Sequence, residues 1–168
     1  MNDNILIRDA RPKELDEVAE ILKAAYQQYD KLMPADAWQF YQADILDVRG
    51  RMADSELIVA EVNGKLAGTM TLYLKGWDQA GGNWPDGWAG GRLLGVAPAF
   101  RGKGIAHALM EECIRRCRKL GIKTIGLHTA IIMDIALEMY EQMGFQRVPE
   151  FDHHPKPDVV IMAYKLDL

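Results

Sequence analysis

Arg101-Gly102-Lys103-Gly104-Ile105-Ala106 is the stretch whose residue types and spacing point most directly to chemistry. A helix starts with N–H groups that have no partner inside it, and its summed dipole places roughly half a positive charge there. A turn that enters a helix in this way binds an anion. Gly102 and Gly104, lacking Cβ atoms, let the anion approach the backbone, and Arg101 and Lys103 add charge. A phosphate or pyrophosphate is the natural occupant. The turn is not that of a P-loop nucleotide hydrolase. Ile105 stands where a Mg²⁺-binding Ser or Thr would be needed, and the preceding four-residue glycine spacing is missing. Cys113 and Cys117 fall on one apolar stripe of the same helical pattern. With no further ligand at a usual spacing they do not close a zinc site, so the expectation is packing and no metal.

The elements that must position this turn are legible around it. Leu93 to Val96 is a short apolar strand that Pro98 ends, and the helix after the turn runs to about Leu120, with Ile105, Leu109, Cys113, Cys117 and Leu120 inward and Gly121 as its stop. Upstream, Ile5 to Arg8 reads as a strand. A helix then begins at Pro12 with Leu15, Val18, Leu22 and Ala25 on one face. Ala35 to Leu46 is a second helix carrying Trp38, Phe40 and Tyr41, rings that pack it onto the sheet or line a pocket. Leu57 to Val62 and Leu66 to Leu74 form a hairpin across Asn63-Gly64-Lys65. From Gly76 to Gly91 the chain reads as a long loop in which Trp77, Trp84 and Trp88 accompany Asp78 and Asp86. Downstream, Ile122 to Thr129 is a strand, Met133 to Met143 a helix closed by Gly144, Phe145 to Val148 a strand, Pro149 to Asp158 a loop and Val159 to Leu166 the last strand.

The totals narrow the class. Apolar residues make up 49% and charged ones 26% of the chain, a globular composition that fits a single domain over residues 1–168. No run approaches the roughly 18 apolar residues of a membrane helix, and the start carries no basic region followed by an apolar core, so a soluble, cytoplasmic protein is expected, with no membrane partner. A net charge of −4 argues against nucleic acid as a partner.

The strand, the Val96-Ala-Pro step and Arg101-Gly-Lys-Gly-Ile-Ala resemble the acetyl-CoA-binding motif of the GCN5-related N-acetyltransferases (GNAT), in which Arg/Gln-x-x-Gly-x-Gly/Ala is met by Arg101, Gly104 and Ala106. About thirty residues further on, Tyr140-Glu-Gln-Met-Gly144-Phe145 is similar to the family's Tyr-x-x-x-Gly-Phe segment. The resemblance spans roughly residues 5–166. It implies an α/β (α+β) fold: a mixed, mostly antiparallel twisted sheet of about seven strands, splayed at the cofactor cleft, with about four helices on both faces. It further implies acetyl-CoA as cosubstrate, with amides of Arg101, Gly102, Lys103, Gly104, Ile105 and Ala106 on the pyrophosphate and backbone groups of Leu94 and Val96 on the pantetheine arm. Tyr140 would then be the catalytic acid: a phenol, with a pKa of about 10, holds the proton that a departing thiolate, of pKa about 8.5, needs.

The implied reaction is transfer of acetyl from acetyl-CoA to a primary amine by direct attack in a ternary complex, an acyltransferase of the N-acetyltransferase kind. A lysine-like amine with a pKa of about 10.4 is almost wholly protonated at pH 7, so the site must lower its pKa or supply a base. The family often places a Glu on the organising strand for this. Here Ala89-Gly-Gly-Arg92 brings no carboxylate, and Met133 stands where an Asn is frequent. Asp86, His128, Glu150, Asp152, His153 and His154 are the candidate replacements. Aromatic and acidic loop residues lean towards a small cationic amine as acceptor. A protein or peptide amine, or a non-catalytic acyl-CoA-binding or sensor module without a base, are the alternatives. The resemblance leaves open whether the chain pairs through its C-terminal strands as a homodimer.

Overall fold

Asn63 and Gly64 take φ angles of 49° and 83° at the tip of the first hairpin, the pair of left-handed residues that a tight turn between twisted strands requires. In the computed structural model, which describes residues 3–75, 84–157 and 159–168, the turn joins β2 (Glu56–Val62) to β3 (Lys65–Tyr73). Trp77, Asp78 and Asp158 lie outside the described residues. The sheet has eight strands in the order β1-β2-β3-β4-β5-β8-β6, with β7 also pairing β8. The chain divides into two compact units, residues 1–71 with 93–112 and residues 72–92 with 113–168.

In the first unit, β1 (Ile5–Asp9) runs antiparallel to β2 from Ile5↔Val62 to Asp9↔Ile58. Pro12 opens a 3₁₀ turn, Pro12–Glu14, and α1 (Leu15–Tyr26) follows, burying Leu15, Val18, Leu22 and Ala25 as their spacing predicts and Ile21 and Tyr26 beside them. Arg8 joins the strand to the turn, donating to both Glu14 oxygens at 2.9 and 2.8 Å and to Glu61 at 2.7 Å. Glu14 also accepts the Arg11 amide at 2.7 Å, so one carboxylate closes the turn and holds the strand. α2 (Ala35–Leu46) buries fully only Ile45, and the short α3 (Val48–Arg51) follows it. The buried Arg51 guanidinium donates to the carbonyls of Asp44 and Ile45 at 2.6 and 2.8 Å, satisfying the last turn of α2.

β4 (Ala89–Val96) begins four residues before the apolar run that betrays it in the sequence. Ala89–Gly91 pair in parallel with Ile125–Leu127 of β5 (Thr124–Thr129) in the second unit. The glycines are there for a reason. A Cβ on Gly126 would stand 2.9 Å from the Trp84 ring and one on Gly90 would stand 3.4 Å from its indole nitrogen, so the buried indole lies directly on two bare strands. β8 (Val159–Asp167) runs antiparallel to β5 from Thr124↔Asp167 to Thr129↔Met162, and β6 (Gln146–Arg147) pairs with β8 as well. The segment expected as a loop from Pro149 to Asp158 contains a 3₁₀ turn, Pro149–Phe151, and β7 (His153–Lys156) paired with β8.

α4 (Ile105–Lys119) ends as predicted at Gly121, whose φ is 73°. Ile122 N–H bonds the Cys117 carbonyl at 2.9 Å and Gly121 N–H that of Arg118 at 3.1 Å, the double closure of a Schellman stop. Leu120, expected inward, lies beyond the last helical residue and is 59% exposed. Cys113 and Cys117 are fully buried and neither is in a disulfide. No helix among the described residues is long and apolar enough to cross a membrane.

Candidate active site

The anion turn is built in the first unit. Ala97 N–H bonds the Ala67 carbonyl at 2.8 Å, a 3₁₀ turn (Pro98–Phe100) follows β4, and Arg101 N–H points back at Pro98 O at 3.4 Å. Gly102 and Gly104 both have φ 77°, a region closed to most side chains, and the space where their Cβ atoms would stand is empty to 4 Å. The first bond of α4's own ladder is Ala108 N–H to Gly104 O at 3.0 Å. The amides of Ile105, Ala106 and His107 therefore precede the ladder, as the first donors of any helix do. Ile105 holds the turn in place. Its side chain is 2% exposed, and a Cβ on Gly68 of β3 would come within 2.9 Å of it.

The two cations of the turn have partners that their local sequence does not reveal. Arg101 donates to the Ala25 carbonyl at 3.3 Å, in the last turn of α1, where a cation complements the helix dipole. Lys103 forms an ion pair with Asp3. The turn thus offers the N–H groups that precede the α4 ladder, while its two cations are engaged by Ala25 and Asp3.

Leu94 and Val96 are half-buried on β4. The Leu94 carbonyl accepts the Tyr26 hydroxyl at 3.0 Å, and a Cβ on Gly95 would meet Leu22 and Ala25 at 3.1 and 3.3 Å, so α1 rests against this half of the strand. Leu93 just before them has φ 55°, a conformation rarely taken by a branched residue, which marks an irregularity inside β4. Sequence reasoning missed it because nothing in a leucine announces a positive φ. Around Tyr26 stands a cluster of rings: Tyr29 at 5.9 Å and Tyr41 at 6.1 Å from it edge to face, and Trp38 at 6.4 Å from Tyr41. Tyr29, Trp38 and Tyr41 are half-buried, whereas Phe40, expected to pack, is 82% exposed.

In the second unit, Tyr140 is 7% exposed near the end of α5 (Asp134–Gln142), and its ring lies 5.6 Å from that of Phe145. Gly144, at φ 95°, reverses the chain so that Phe145 N–H reaches the Tyr140 carbonyl at 3.0 Å and Gly144 N–H that of Glu141 at 3.1 Å. The Tyr-x-x-x-Gly-Phe spacing is thus a helix stop that clamps the tyrosine ring with the phenylalanine.

The base candidates divide by what they touch. His128 stacks on Trp84 with ring centres 4.5 Å apart and engages the Phe151 carbonyl through Nε2 at 2.9 Å. Trp88 and Phe151 complete that packing, each within 5.7 Å of Trp84. Asp152 receives both arms of Arg147 at 2.5 and 2.7 Å and the Ala163 amide at 2.8 Å. The Arg147 guanidinium holds its carboxyl below the usual carboxylate range, so Asp152 is a fixed anion that ties the turn before β7 to β8. His153 is half-buried at the start of β7, while Asp86, Glu150 and His154 are exposed. Among the described residues no group of three or more His, Cys, Asp or Glu side chains could hold a metal ion.

Residues 15–145 match the family model described as "Acetyltransferase (GNAT) family". Solved structures share the fold across nearly the whole chain. An acetyltransferase of the GNAT family from Staphylococcus aureus Mu50 is 20% identical with a TM-score of 0.71, covering 98% of this chain and 99% of its own. The PaiA N-acetyltransferase of Thermoplasma acidophilum, solved in complex with coenzyme A, is 16% identical with a TM-score of 0.75 over 97% and 99% of the two chains. A GNAT family acetyltransferase from Brucella melitensis, solved with acetyl-CoA, is 22% identical with a TM-score of 0.66 over 98% and 88%. With the mixed, mostly antiparallel sheet, the glycine turn opening α4 and a family match over most of its length, the chain belongs to the GNAT family of acetyltransferases.

Proposed function

We propose that this protein transfers the acetyl group of acetyl-CoA to the primary amine of a small molecule by direct attack in a ternary complex, within one domain spanning residues 1–168. The observation that carries the reading is the turn opening α4, where two left-handed glycines with open space at their Cβ positions lead into a helix whose ladder begins only at Ala108 N–H, with the amides of Ile105, Ala106 and His107 ahead of it. A pyrophosphate suits that set of donors. The relatives solved with coenzyme A and acetyl-CoA support the same choice of cosubstrate.

Each residue then has a task. Gly102, Lys103, Gly104, Ile105 and Ala106 hold the pyrophosphate, and Arg101 fixes the turn against α1. Backbone groups of Leu94 and Val96 take the pantetheine arm, beside the irregularity at Leu93. The Leu94 carbonyl also accepts the Tyr26 hydroxyl, which fixes this part of β4 against α1. Tyr140 holds the proton for the departing thiolate. A water activated from Asp86, Glu150, His153 or His154 takes the proton of the amine, since His128 and Asp152 are spent on packing and on Arg147.

The rings of Tyr26, Tyr29, Trp38 and Tyr41 support an acceptor with an apolar body and a cationic amine, which aromatic faces attract. Two buried cysteines outside any disulfide fit a reducing, cytoplasmic setting. The test is release of thiol from acetyl-CoA across polyamines, aminoglycosides, amino acids, arylalkylamines and peptides. One small amine well above background is the expected result. Turnover with peptides alone would move the acceptor to proteins, and tight CoA binding without turnover on any acceptor would favour a sensor, to which the missing carboxylate at Ala89–Arg92 also points.

A further inference from the structure

Lys103 is the cation placed between the two open glycines of the anion turn, yet its ammonium is paired with the carboxylate of Asp3, one hundred residues away in sequence. Asp3 is itself positioned. Its other oxygen accepts the Asn63 side-chain amide at 3.3 Å, and Asn63 N–H bonds the carbonyl of the neighbouring Asn4 at 3.4 Å, so the hairpin tip holds the segment that carries Asp3. Lys103 keeps 40% of its side chain exposed and Asp3 32%, which leaves the pair breakable by a competing anion. The Lys103 ammonium keeps the Asp3 carboxyl below the usual carboxylate range.

We infer that Asp3 is a built-in competitor for the cosubstrate: its carboxylate holds Lys103 in the free protein, and a phosphate of CoA takes the lysine over on binding, so that Asp3 sets the affinity and the salt dependence of the site. The inference rests on the cosubstrate reading above. A carboxylate carries one charge and a phosphate up to two, and the dipole of α4, which opens just beyond Lys103, adds its pull on the larger charge. The exchange therefore runs towards the ligand, at an affinity lower than an unopposed lysine would give.

The test is calorimetric titration with CoA and with 3′-dephospho-CoA of the full chain, Asp3→Asn, Lys103→Ala and the double variant. Asp3→Asn is expected to bind CoA roughly threefold to fivefold more tightly than the wild type at low salt, with the gap closing at high salt. In the Lys103→Ala background the same change is expected to do nothing. If the gain vanishes with 3′-dephospho-CoA the competing group is the 3′-phosphate; if it persists it is the pyrophosphate, and either supports the exchange. CoA affinity unchanged or weakened in Asp3→Asn, or an equal gain with and without Lys103, overturns it while leaving the cosubstrate reading intact. A wild-type chain that binds no CoA overturns both.

Discussion

Replacing Tyr140 by phenylalanine is expected to slow thiol release about a hundredfold, the lower end of what a positioned general acid contributes, while leaving CoA affinity within about twofold of wild type. The ring is 7% exposed and packed on Phe145, and the backbone around it is closed by Gly144, so removing one oxygen leaves the helix stop as it was. What is lost, on the proposed role of Tyr140, is the proton for the sulfur. Supply of a better leaving group should then rescue the variant, because an acyl donor whose thiol is more acidic needs less protonation. Single-turnover and steady-state rates with acetyl-CoA and with such a donor check this. A rate unchanged by Tyr140→Phe, or a loss with no rescue, would take the tyrosine out of the chemistry.

Glu14→Gln is expected to lower stability by about 2–3 kcal/mol at pH 7, with little direct effect on turnover. Glu14 is 9% exposed, and its carboxyl is pushed down from about 4.5 to about 2, chiefly by the hydrogen bonds from Arg8. A carboxyl whose folded-state pKa is depressed stabilises the fold above its unfolded value and loses that contribution as pH falls through the folded one. The gap between wild type and variant should accordingly be full above about pH 5 and shrink between about 4.5 and 2. Urea unfolding at pH 7, 4 and 2.5 measures it. A gap that is small at pH 7, or constant across this range, would mean that Arg8, Glu14 and Glu61 act merely as solvated charges.

Most of the architecture was legible because it rests on local chemistry. Asn63-Gly64, Gly121 and Gly144 each read as a turn or stop, and each takes the positive φ its position needs. α1 and α4 announce themselves by period, and the glycine turn by its two residues without Cβ. The misreadings arise where distant residues decide. Gly90-Gly91 reads as loop, since glycine weakens a strand, yet those residues lie in β4 through their pairing with Gly126 and Leu127 of β5, and at Gly90 the bare backbone lies under the Trp84 indole. His153-His154-Pro155-Lys156 has little strand propensity and becomes β7 only by pairing with β8.

The site shows the same division. Its amides follow from sequence, whereas the partners of its charges do not: Arg101 meets Ala25, Lys103 meets Asp3, and His128 and Asp152 are taken by Phe151 and Arg147. A histidine or carboxylate in a sequence carries the capacity to act as a base. Only its neighbours in space say whether that capacity is spent.

The most direct measurement is an amide NMR titration of the full chain with CoA. Saturable binding is expected, with the largest shifts at the N–H groups of Gly102 to His107, smaller ones along Leu93–Val96, and little change in β1 beyond the segment at Asp3. Binding that leaves the amides of Gly102, Gly104, Ile105 and Ala106 unmoved, or no binding at all, would contradict it.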